Sequence, residues 1–172
     1  TATASSSASL SFNSTYINGD YQVYKFEFIN IHPQTDATVF QFNLSTDNGS
    51  NYNVTKTSTM FRAYHGENGA GGALVYKSDS DLAQSTSFQE LCNLGNDNDQ
   101  SCSGSLTLFN PSSTYVKHWI ATVNYISEDN YSQEWFNAGY GNTTSAVNSV
   151  RFQISSGNID AGQIKLYGLG AN

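Results

Sequence analysis

Side chains along this chain repeat with a period of two. In "YQVYKFEFINI", Tyr24, Phe26 and Phe28 share one face, and Val23, Lys25, Glu27 and Ile29 share the other. In "TVFQFNLS", Phe40, Phe42 and Leu44 alternate with Val39, Gln41 and Asn43. "SASLSF" groups Ala8, Leu10 and Phe12, and "AVNSVRFQI" groups Val150, Phe152 and Ile154. An amphipathic helix needs apolar positions three and four apart. Strict alternation needs an extended strand with one face in a core. "TMFRAY" (59–64), "SLTLF" (105–109) and "YSQEWFNAGY" (131–140) read as further strands. "YVKHWIATVNYI" (115–126) is apolar on both faces, which predicts a central strand or a bulge. "GQIKLYGL" closes the series, with Ile164, Leu166 and Leu169 directed into the core.

Turn signals separate these runs: "NGD" (18–20), "TDNGSN" (46–51), "GENGAGG" (66–72), "GNDNDQ" (95–100), "NPSS" (110–113) and "SEDN" (127–130). Asn and Gly tolerate positive φ, and Asp, Asn and Ser bond back to the backbone. Short strands punctuated this often predict an all-β fold, an antiparallel β-sandwich of jelly-roll type. One segment, "SDLAQSTSFQELC", hints at helix, because Ser87 and Glu90 match a capping box. Leu82, Phe88 and Leu91 keep poor helical register there. At most a turn or two of helix is expected, or a strand beginning near Phe88. No linker or internal repeat interrupts the 172 residues, so a single domain spanning 1–172 is expected.

Charge narrows the partners. The formal net charge is −7, and no Lys/Arg cluster exists to meet phosphates, so a nucleic-acid partner is not expected. No apolar run approaches the roughly 20 residues of a membrane span, and no membrane role is expected. The first residue is Thr1, so a leader or attachment segment ahead of it is left open.

Few motifs carry chemistry. His32, His65 and His118 stand alone, without an acid, Cys or second His at ligand spacing. The acids Asp79/Asp81, Asp97/Asp99 and Glu128/Asp129/Glu134 fall in turns or at strand ends, where solvated carboxylates are ordinary. Asp97 and Asp99, with Asn96 and Asn98, cluster hard oxygens that would suit Ca²⁺ and would equally suit a plain polar turn. Calcium is therefore the one cofactor considered; otherwise none is expected. Cys92 and Cys102 either close a short loop as a disulfide or remain two small reduced thiols. Many tyrosines lie near loops, where most would cap the core. An exposed subset, with Tyr64, Tyr131 and Tyr140 as candidates, would bind a glycan or a neighbouring subunit.

Several runs together resemble small β-sandwich virion proteins of tailed bacteriophages, above all those of marine cyanophages and their relatives. They are "TATASSSASLSF", "YKFEFINIHPQTD", "STDNGSNYNVTKTSTMFRAYH", "GNDNDQSCSGSLTLFNPSS" and "AGYGNTTSAVNSVRFQISSGNIDAGQIKLYGLG". The likeness spans nearly the whole chain. Its most specific markers are Phe28 to Pro33 and Ser156 to Gly168. The resemblance implies a non-enzymatic structural protein at the virion surface: a tail-fibre tip, a capsid knob or a decoration protein. It implies no catalytic residues. Its partners would be other virion proteins, further copies of itself (a homotrimer favoured) and a host surface glycan. It would be assembled in the host cytoplasm, where reducing conditions disfavour a disulfide between Cys92 and Cys102. A domain at the outer end of such a particle would need nothing after its last strand. A secreted carbohydrate-binding module, with calcium at Asp97 and Asp99, is the alternative.

Overall fold

A computed structural model of the chain describes residues 1–171. Twelve strands follow one another: β1 (Ala2–Thr3), β2 (Leu10–Phe12), β3 (Tyr21–Pro33), β4 (Thr38–Ser45), β5 (Lys56–Gly66), β6 (Gly72–Tyr76), β7 (Gln89–Leu94), β8 (Cys102–Phe109), β9 (Lys117–Ile126), β10 (Tyr131–Gly141), β11 (Ser149–Ile154) and β12 (Ile159–Ala171). Among the described residues there is no helix. The "SDLAQSTSFQELC" segment resolves into a bend followed by β7.

The strands build two antiparallel sheets. The larger runs β1-β12-β3-β8-β9-β10-β5-β6, and the smaller runs β2-β11-β4-β7. They face each other, so the chain is an antiparallel β-sandwich. The interior is the alternation of the sequence made physical: Tyr24, Phe26 and Phe28 from β3 meet Phe40, Phe42 and Leu44 from β4 and Val150, Phe152 and Ile154 from β11. Phe152 is the hub. Its ring centroid lies 5.1 Å from Phe26, 5.2 Å from Phe28 and 6.0 Å from Phe40. The first is tilted, the second edge-on and the third an offset stack, arrangements that suit the quadrupoles of aromatic rings.

Strict alternation would expose Ile31, yet Ile31 is buried like Phe28. The β3–β8 register shifts between these two residues, and Asn30 takes φ 49°. This bulge inserts one residue and resets the parity. The neighbouring strand does the same. Ile159 and Ile164 are both buried despite their odd spacing, because the β12–β3 register shifts on either side of Ala161. Gly162 supplies the turn with φ +115°, and a Cβ there would stand 2.5 Å from the Asn30 carbonyl oxygen. Only glycine fits such an approach.

Two sequence expectations need correction. Leu169 is not inward: it is 52% exposed, because it is one residue out of phase with Leu166 on β12. "GENGAGG" is not wholly a loop either, since Gly72 opens β6, a strand whose "ALVY" is too short and too exposed to show alternation. Beyond β6, the free edge of β5 is met by the chain at 82–85, with Lys56 N–H donating to Ser85 O and Ser58 N–H to Leu82 O. Covering an edge in this way blocks further strand addition.

Candidate functional site

The most unusual surface is the outer face of the larger sheet. The residues that alternate with its buried ones form cross-strand rows over β5, β10, β9 and β8. One row is Thr57, Tyr140, His118 and Phe109, and the next is Thr59, Ala138, Ile120 and Thr107. A third is Phe61, Phe136, Thr122 and Ser105, extended onto β6 by Tyr76. No Lys, Arg, Asp or Glu occurs in these rows. Ile120 is 56% exposed, Tyr76 57% and Phe61 40%. Phe61 and Phe136 stack face to face, with centroids 4.7 Å apart and planes 10° from parallel. Beside this ridge runs a shallow groove of about 500 Å³ between Phe109, His118, Ile120 and Tyr140. On the inner side of the same sheet Gly139 makes room for the Trp119 indole, because a Cβ there would stand 2.5 Å from both the Thr57 carbonyl oxygen and that ring. The first charges met going outward are Glu134 on β10 and the Lys25–Glu27 ion pair on β3. An apolar centre with a polar margin is the anatomy of a contact surface.

The tyrosine candidates do not form one site. Tyr64 and Tyr131 do meet, edge to face at 5.7 Å, at the end of the β5–β10 ladder. Arg62 lies over the Tyr64 ring at 5.0 Å. Tyr140 lies on the outer face instead, tilted against His118 at 6.2 Å. A different tyrosine pair lines a polar recess of about 340 Å³: Tyr16 and Tyr21, both exposed, beside Asn18 and Asp20.

Asp97 and Asp99 are exposed in the loop between β7 and β8. Asp97 works there through its backbone: its N–H donates to Gln100 Oε1, and its carbonyl oxygen lies 3.3 Å from His32 Nε2. No group of three His, Cys, Asp or Glu side chains able to hold a metal forms among the described residues. Cys92 and Cys102 are both buried and both free. They come from different sheets, β7 and β8, and their side chains meet across the sandwich. Burial, then the neighbouring Cys102 thiol, push the Cys92 thiol pKa well up. The arrangement is that of two packed thiols, not the bonded pair, and a thiol so protonated is a poor nucleophile.

Sequence reasoning missed two buried lysines. Lys56 and Lys117 face inward on either side of Gly141, in one row across β5, β10 and β9. Lys56 Nζ donates to Asn43 Oδ1 at 2.5 Å and Val54 O at 2.8 Å. Lys117 Nζ donates to the carbonyls of Ser113, Tyr115 and Thr143. Burial pushes the Lys56 pKa down to about 7 and lowers that of Lys117. Each ammonium ties down loops at one end of the sandwich. Phase alone was the available signal: Lys56 shares parity with Met60, and Lys117 with Trp119.

No protein-family model matches the chain, and no curated protein matches it.

Proposed function

We propose that this chain is a non-enzymatic surface protein of a bacteriophage particle, on a tail fibre or as a capsid knob or decoration. In this reading the sandwich is of jelly-roll type and assembles as a symmetric homo-oligomer, a trimer in the form the resemblance implies. Its work is adhesion or particle stabilisation rather than turnover. One observation carries the reading. The two segments most specific to the resemblance, far apart in sequence, are hydrogen-bonded neighbours. Pro33 pairs with Ile159, His32 with Ala161, Ile29 with Gln163 and Phe28 with Ile164. The likeness therefore rests on one structural unit, the bulged β3–β12 ladder, and not on two unrelated runs. The uncharged outer face supports it as well, since subunits can pack there with little desolvation of charge.

The test is to locate the chain in density of the intact particle whose genome encodes it. Sandwich-shaped density on the outside of capsid or tail is expected. Absence of the chain from such particles overturns the reading.

Carbohydrate binding is the second reading, favoured by the Tyr16–Tyr21 recess. Exposed rings beside Asn18 and Asp20 combine a stacking surface with polar donors and acceptors, which is what a sugar needs. Binding on a glycan array, lost in Tyr21→Ala and sensitive to EDTA if calcium sits at Asp97 and Asp99, is its expected signature.

A further inference from the structure

We infer that the outer face of the larger sheet is the seat of self-association: its occupant is a second copy of this chain. This goes beyond the virion reading, because it is argued from the face itself and holds whatever particle the chain belongs to.

Three features single out that occupant. The first is charge. The chain carries a formal net charge of −7, and two of its seven cationic side chains, Lys56 and Lys117, are buried. Copies of so acidic a protein repel one another over most of their surface. They can approach closely where there is no charge to oppose, and the rows around Ile120 are such a place. The second is relief. The stacked Phe61–Phe136 ridge stands beside the groove formed by Ile120, His118 and Tyr140. Ridge and groove on one face let one copy seat its ridge in the groove of the next, the relief that a symmetric contact between copies requires.

The third feature is extent. Four strands about 4.8 Å apart, each offering three same-face residues about 6.8 Å apart, cover roughly 400 Å² in projection. Protruding rings, and Tyr76 and Leu74 on β6, raise the accessible area further. That is the order of the ~800 Å² each partner contributes to an ordinary interface. A free sheet face with Ile120, Phe61 and Tyr76 bared would instead be an aggregation hazard.

The test is light scattering or sedimentation of the full chain over a wide concentration range, at low and high salt. The wild type is expected at a multiple of 18.7 kDa, and equally or more associated at high salt, where repulsion is screened. Ile120→Lys and, independently, Thr59→Glu should each return the mass to 18.7 kDa. Both positions are exposed, so circular dichroism should match the wild type and melting should stay cooperative, shifted down only by the lost association. A wild type that stays at 18.7 kDa at every concentration overturns the inference, as do folded variants that remain associated. Association that dissolves in salt overturns it too, because that would mark an ionic contact elsewhere. Absence of the chain from particles would remove the virion reading and leave this result standing.

Discussion

Lys56 and Asn43 join the two sheets through a buried ammonium: Lys56 Nζ donates to Asn43 Oδ1 at 2.5 Å. Asn43 Oδ1 also accepts the Leu44 N–H, and Asn43 Nδ2 donates to Tyr52 O and Thr86 O. No carboxylate pairs with Lys56 among the described residues. The charge is therefore held by neutral oxygens alone, at a desolvation cost that no counter-ion offsets.

That cost gives stability a pH dependence with a definite sign. The Lys56 pKa falls from 10.5 to about 7 on folding. Between those values the unfolded chain binds more protons than the folded one, so stability rises with pH. Urea unfolding should show a gain of ~1–2 kcal/mol between about pH 7 and about pH 9. Lys56→Met should flatten most of that rise, leaving the smaller part due to Lys117. Stability that falls over this range contradicts the account of the buried lysines.

Gly162 should tolerate no side chain. Its φ of +115° and its closeness to the Asn30 carbonyl make Gly162→Ala strained in two ways at once. A loss of about 2 kcal/mol or more is expected in urea unfolding. A neutral result would mean that the bulge is not required.

Phe152 carries the aromatic hub. Phe152→Ala should cost about 3–5 kcal/mol, because five neighbouring rings cannot all collapse into the space it leaves. Chemical denaturation against the wild type measures this directly.

The cysteines should be inert. Iodoacetamide should label neither Cys92 nor Cys102 in the folded protein and both in urea. Reductant should leave the melting temperature unchanged. A drop of several degrees on reduction would reveal a bridge.

How much of this was legible follows from what a period of two can encode. Alternation names the inward residues of β3, β4 and β11 because one face of each strand is dry. It cannot name partners: Phe28 pairs with Ile164 through a ladder that closes only in three dimensions. It misleads at the bulges, where Ile31 and Ile159 change phase. It also treats lysine as outward, so Lys56 and Lys117 went unseen although their phase was correct. The outer face escaped notice for a related reason. Ile120 reads as an extra apolar residue of a central strand and Phe61 as one residue of a further strand, and one strand alone does not show that its neighbours are uncharged in the same rows. The candidates Tyr64, Tyr131 and Tyr140 came from composition, which carries no information on convergence.

The virion assignment is tested most directly by amine labelling of purified intact particles, followed by peptide mass spectrometry. The account predicts that the chain is found in the particles, with Lys25 and Lys165 modified and Lys56 and Lys117 unmodified until the protein is unfolded. Particles from producing cells that lack the chain would contradict it, and so would a chain inside them that labels only after the particles are opened.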